Sequence, residues 1–491
     1  MLPDHFTPLP ELVRGHGRSR AAHPAIIDGE TVLGWAELDA LIDRAAAALA
    51  RDGAAKGDVV AICAGMSAAY LIVWLGALRA GLAAAPISPG MTAEVRAGMI
   101  ADSGAVRTFD DAALGGLADW LAPPGAPPPA VAIEPGDPFN LIYSSGTTGT
   151  PKGIVQPHAM RWAHVQRGLT QGYGPDAVTL VSTPLYSNTT LVSVFPTIGL
   201  GGTLVLLPKF DPAAFLDLSV RHRVSHAMLV PVQYRRLMEY PDFDRHDLSS
   251  YRGKFCTSAP FSAELKAEIL ARWPGGLTEY YGMTEGGGTC ILRCHERPDK
   301  LATVGSPAAG SEIRVIDDAG TALPPGEAGE VVGRSPAMMV GYHNRPEATA
   351  AAEWYDAEGV RFIRTGDVGR FDADGFLTLV DRKKDVIISG GFNLYPSDLE
   401  QVLTAHPAVA EAAVVAAPSP RWGETPFAFV TLRAPIEPEA LRSWANARLS
   451  AIQRIAGIAV LDRLPRSEIG KVLKKDLVAA AAQALAAAAG G

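Results

Sequence analysis

The run Tyr143-Ser-Ser-Gly-Thr-Thr-Gly-Thr-Pro-Lys-Gly153 is the densest set of anion-binding groups in the chain. Its glycines let the backbone approach an anion closely, its hydroxyls and backbone N–H groups donate hydrogen bonds, and Lys152 adds a mobile positive charge. That is the chemistry of holding a polyphosphate. The spacing is not that of a Walker A loop, which needs G-x-x-x-x-G-K-[ST]. Composition alone also describes a flexible surface linker. The strand pattern Phe139-Asn-Leu-Ile-Tyr143 before the run, and Pro151-Lys152 within it, favour an ordered phosphate loop.

Other polar constellations are bland one by one. Thr284-Glu285 is what a helix N-terminus offers, Tyr281 reads as a core tyrosine, Gly366-Asp367 as a turn, and Lys471 as one of several solvated lysines beside Lys474 and Lys475. Cys290, Cys294 and His295 have weak metal-site spacing and no second ligand pair, so reduced thiols are the better reading.

The elements that must position these groups alternate. Helical patterns at 40–52, Ala68–Arg79 and Phe261–Trp273 stand among strand patterns at Asp58–Cys63, Ala83–Ile87, Thr179–Ser182, Thr203–Leu207 and Ala227–Val230. This implies an α/β fold with a mainly parallel sheet. The proline-rich Ala122–Ala130 is a stiff linker. From about residue 310, short strands separated by Asp-Gly and Pro-Gly turns imply a small antiparallel β subdomain. A new α/β pattern follows the charged run Asp381–Asp385, and the Ala-rich tail Leu477–Gly491 has helix propensity but no polar pattern to direct packing, so it is expected to fray. The apolar stretch Ala68–Ile87 contains Arg79 and suits a buried helix leading into a strand better than a membrane span.

With 491 residues, 44 basic and 52 acidic side chains and a net charge of −8, the chain lacks the basic balance of a nucleic-acid binder. The N-terminus has no signal-peptide core, so a cytoplasmic location is expected.

Taken in order, five segments resemble the signatures of the acyl-adenylate-forming superfamily, which includes acyl- and aryl-CoA synthetases. They are the phosphate-loop run, Tyr281-Gly-Met-Thr-Glu285, Arg364-Thr-Gly-Asp367, the hinge Asp381–Asp385 with Gly390–Pro396, and Pro465–Lys471. The resemblance covers nearly the whole chain. It implies an N-terminal AMP-binding domain over 1–383, made of αβ-layered subdomains and a small β subdomain. A smaller mobile α+β domain would follow over 384–491 and carry the catalytic lysine.

The implied reaction is acyl-adenylate formation from an acid and ATP with Mg²⁺, then transfer to coenzyme A. By the resemblance, Ser144, Ser145, Gly146, Thr147, Thr148 and Lys152 bind the ATP phosphates, Thr284 the α-phosphate, and Glu285 the Mg²⁺. Ser258-Ala259-Pro260 and Tyr281 line the adenine, and Asp367 with Arg382 holds the ribose. Lys471 would orient the attacking carboxylate, Lys384 would be the hinge, and Gly390 and Gly391 would line the CoA tunnel.

Tyr186, Ser187, Asn188, Gly282 and Gly287 are the expected acyl pocket. Ser187 departs from the family pattern, standing where a histidine is common. The three glycines after Glu285 imply open space for a flat ring or a long chain. A hydroxycinnamate-type acid and a medium- or long-chain fatty acid both fit. A carrier-protein acceptor and a non-catalytic nucleotide-binding homologue are the alternatives, although the latter would be expected to have lost Lys152, Glu285, Asp367 or Lys471. A homodimer is compatible with all three.

Overall fold

The computed structural model describes residues 2–144, 151–389, 392–419, 422–450, 453–466 and 472–489. The chain forms two compact units, Met1–Ile313 with Val332–Arg364, and Arg314–Val331 with Thr365–Gly491.

In the first unit a nine-stranded sheet runs Ser306–Pro307, Thr289–Arg293, Gly276–Gly282, Gly253–Cys256, His226–Leu229, Val178–Val181, Thr203–Leu206, Pro24–Asp28, Thr31–Gly34. From Gly276–Gly282 to Pro24–Asp28 every pairing is parallel. A six-stranded sheet runs Gly341–Tyr342, Lys152–Pro157, Pro138–Ser144, Ala83–Pro86, Val59–Cys63, Arg107–Asp110. Parallel strands need crossovers, which cover both faces with helices. One core joins Ile26 and Leu204 of the first sheet to Val60, Ile62 and Phe139 of the second, with Trp74 and Phe195 from helices between.

The helix Ala68–Arg79 is apolar nearly all round and is buried accordingly. Arg79 sits inside because Asp39 and Asp43 take its charge at 2.6 and 2.7 Å. No described helix is long and apolar enough to cross a membrane.

Short strands after residue 310 form a third sheet, ordered Glu312–Ile316, Gly329–Arg334, Arg361–Phe371, Glu353–Tyr355, with Leu377–Arg382 antiparallel to Arg361–Phe371. In the second unit Phe392–Leu394, Ile387–Ser389, Gly423–Leu432 and Val409–Ser419 make a sheet, and Gly457–Val460 joins Gly423–Leu432 in parallel.

The tail corrects the expectation that it has no pattern to direct packing. Lys474–Ala489 is a helix, with Leu477 and Ala481 fully packed beside Ala484 and Leu485. These four recur at helical spacing and give the alanine-rich segment one apolar stripe to bury. Lys474 is not a solvated lysine either, because it pairs with Glu400 at 2.8 Å.

Candidate nucleotide and acyl site

The expected phosphate loop joins two paired strands. Pro138–Ser144 and Lys152–Pro157 run antiparallel with Ser144 opposite Lys152. Ser145, Gly146, Thr147 and Thr148 lie outside the described residues, as do Gly390, Gly391 and Lys471 and the side chains of Ser144, Arg382 and Lys384.

Lys152 holds its ammonium 5.1 Å from the centre of the Tyr342 ring, a cation–π distance. The same tyrosine donates to Glu285 Oε1 at 2.8 Å, and the Glu285 carbonyl accepts from Met339 N at 2.8 Å. Burial and the Glu285 charge push the Tyr342 phenol well above its ordinary range, so it stays a donor. Strand pairing makes the meeting possible, since Tyr342 lies opposite Ile154. Tyr342 was not among the expected site residues. A lone tyrosine after a glycine gives no periodic or spacing signal.

Thr284 is tied in through its backbone. Its carbonyl accepts from Gln156 Nε2 at 2.6 Å, and the same nitrogen lies 3.5 Å from Asn188 Oδ1. Gln156 was also missed, although a polar side chain in the buried strand Lys152–Pro157 was a legible signal.

The segments expected to meet adenine and the acid leave the carboxyl ends of parallel strands, where open α/β sheets place their ligands. Ser258 follows Gly253–Cys256, Tyr281 is the last residue but one of the neighbouring Gly276–Gly282, and Tyr186-Ser187-Asn188 follows Val178–Val181. Ser258 is at φ +82°, rare for a residue with a side chain, and its hydroxyl is hydrogen-bonded to that of Thr189. That bond joins the expected adenine wall, completed by Ala259 and Pro260, to the start of the helix Asn188–Gly199.

The glycines after Glu285 correct the reading of open space. A Cβ on Gly286 would lie 2.0 Å from the Ala337 carbonyl oxygen, and one on Gly287 would lie 2.6 Å from the Ile363 Cβ. Protein fills these places, and the glycines permit close backbone packing. Gly282, by contrast, is exposed.

In the second unit Asp367 and Arg382 face each other across the hairpin. The Asp367 amide donates to Thr365 Oγ1 at 3.1 Å, and that hydroxyl donates to the Val331 carbonyl at 2.8 Å. The charged run expected to act as the hinge is tied to the following helix, since the Ser397 amide donates to Asp381 Oδ2 at 2.9 Å.

Two family models match this chain, AMP-binding enzyme over residues 13–343 and AMP-binding enzyme C-terminal domain over 398–471. A feruloyl-CoA synthase of Amycolatopsis sp is 34% identical, with 92% of this chain and 95% of that protein covered. A fatty acid–[acyl-carrier-protein] ligase, ScoC of Streptomyces coeruleorubidus, is 31% identical over 94% of both. The structure of o-succinylbenzoate CoA synthetase from Bacillus subtilis, with its acyl-adenylate intermediate, superposes with a TM-score of 0.85 at 29% identity, covering 96% of this chain and 98% of that one. The chain belongs to the AMP-binding enzyme family. Within it, the chain's enzyme class is that of AMP-forming acid–thiol ligases.

Proposed function

We propose that the protein joins a carboxylic acid to coenzyme A. The carboxylate oxygen attacks the α-phosphorus of ATP, the α–β phosphoanhydride bond breaks, and pyrophosphate leaves. The CoA sulfur then attacks the acyl carbon, the bond to AMP breaks, and the thiol proton goes to solvent. The observation that carries this reading is that Lys152 and Glu285, far apart in sequence, share Tyr342. A lysine suited to phosphate thus stands beside a carboxylate suited to Mg²⁺.

The Glu285 carboxylate fits that metal. One oxygen is held by Tyr342, and the other has no protein donor among the described residues. Mg²⁺ favours one or two carboxylates plus phosphate oxygens and neutralises phosphate charge when bound. Ser144, Ser145, Gly146, Thr147, Thr148 and Lys152 would hold the leaving phosphates and Thr284 the α-phosphate. Asp367 and Arg382 would hold the ribose, with adenine against Tyr281 and Ser258-Ala259-Pro260. Lys471 would steady the attacking carboxylate, Lys384 would serve as the hinge, and Gly390 and Gly391 would pass the pantetheine.

For the acid we propose a hydroxycinnamate-type or a fatty acid, met by Tyr186, Ser187 and Asn188. The names of the feruloyl-CoA and fatty-acid relatives support both classes.

The test is a panel of acids with MgATP and CoA, followed by AMP, pyrophosphate and thioester. If folded protein releases no AMP with any acid of the panel, the proposal is defeated. The carrier-ligase relative supports a second reading, transfer to a phosphopantetheinyl carrier. Thioester formed with a carrier but not with free CoA would establish it.

A further inference from the structure

Arg161, on the helix His158–Thr170, is 1% exposed and has no carboxylate partner among the described residues. Its Nε and Nη2 donate to Asn140 Oδ1 at 3.1 and 2.9 Å, Nη2 also donates to Gln156 Oε1, and Nη1 lies 3.4 Å from His164 Nδ1. Phe139 and Phe195 flank the guanidinium at 5.8 and 5.4 Å. Burial and the neighbouring arginines hold His164 neutral, which leaves its Nδ1 free to accept. Burial brings Arg161 itself down to about 9, still cationic at neutral pH.

A guanidinium only donates. Asn140 therefore turns its oxygen to Arg161 and its nitrogen to Gln156 Oε1, at 2.8 Å. With Gln156 Oε1 taken by two donors, its amide nitrogen must face the other way, where the Thr284 carbonyl accepts it at 2.6 Å. One buried charge thus sets the sense of both amides. A flipped Gln156 would set two oxygens against each other at Thr284. Burying a guanidinium without an acid is costly, and an apolar side chain would fill the place without that cost.

We propose that Arg161, Asn140 and Gln156 form a buried relay that fixes the Thr284–Glu285 segment for phosphate and metal, with Gln156 as a positioning residue for adenylation. The inference rests on the ligase reading above.

Gln156→Glu tests it most directly. The carboxylate still satisfies Arg161 and Asn140 but cannot donate to Thr284. The expected result is a melting temperature close to wild type, with the Kd for MgATP raised about fivefold. Acid-dependent ATP–pyrophosphate exchange should fall about tenfold, in the range by which misplaced groups slow catalysis. Folded Q156E with both values within about twofold of wild type overturns the relay. The double variant Q156L/R161M removes charge and donor together and carries the test if Q156E does not fold. Its retention of both values overturns the proposal, its loss of both supports it, and unfolding of both variants assigns the network to stability and overturns it. Wild type that binds MgATP but shows no pyrophosphate exchange with any acid tried defeats the ligase reading alone, since the MgATP Kd still decides the relay.

Discussion

Tyr342 donates its phenol hydrogen to Glu285 Oε1 across 2.8 Å, from a strand that also places it opposite Ile154 beside Lys152. The bond holds one carboxylate oxygen and so directs the other. Tyr342→Phe keeps the ring under Lys152 and removes only that donor. A net hydrogen bond is worth roughly 1 kcal/mol, equivalent to about a fivefold change in an equilibrium. AMP release titrated against Mg²⁺ should therefore show half-saturation at about fivefold higher metal, with little change in melting temperature. An unchanged Mg²⁺ requirement would detach Tyr342 from the metal.

Gly287 makes the opposite case, in which a residue near the site serves packing. Its Cβ would stand 2.6 Å from that of Ile363 and 3.0 Å from the Gly333 carbonyl oxygen. Gly287→Ala should cost roughly 1–3 kcal/mol through forced backbone movement. The readouts are a lowered melting temperature and an unchanged rank order of acids. A shift toward smaller acids at wild-type stability would restore Gly287 to the acyl pocket.

These two residues show what the sequence made legible. A continuous apolar run placed the buried helix Ala68–Arg79, and β-rich runs placed most parallel strands, because local composition and burial agree there. Motifs singled out Glu285 and Lys152, and the structure sets both against Tyr342. Tyr342 and Gln156 act through long-range strand pairing, which no local spacing records. The glycines after Glu285 were visible as small residues, but only the structure shows Ile363, Gly333 and Ala337 occupying the space beside them. The packing of the tail was missed because alanine obscures its stripe, which only Leu477 and Leu485 mark strongly.

His226 links burial to acid stability. Burial holds its pKa at about 4 against an ordinary 6.5, with Ser225 Oγ at 2.7 Å and the Gln171 carbonyl at 3.2 Å around the ring. Between those two pH values the unfolded chain binds the proton and the folded chain does not. The stability is present above pH 6.5 and is lost as pH falls toward 4, up to roughly 3 kcal/mol for a shift of this size. His226→Gln should lower stability at neutral pH yet flatten the decline of melting temperature between pH 6.5 and 4. An unchanged slope would show that the acid-labile groups lie elsewhere.

Lys471 and Tyr342 should differ in whether excess metal repairs their loss. In the proposed mechanism Lys471 steadies charge only while the carboxylate attacks the α-phosphorus, so Lys471→Ala removes transition-state stabilisation from adenylation alone. Loss of one such donor costs roughly 10²–10³ in rate. ATP–pyrophosphate exchange should fall by that order, while thioester formation from supplied acyl-adenylate and CoA stays within a few-fold of wild type. Tyr342→Phe should instead be largely repaired by excess Mg²⁺, because it weakens metal positioning and leaves the lysine intact. Equal loss in both half-reactions for Lys471→Ala would contradict its assigned role, because the second step consumes the adenylate without reforming the attacking carboxylate.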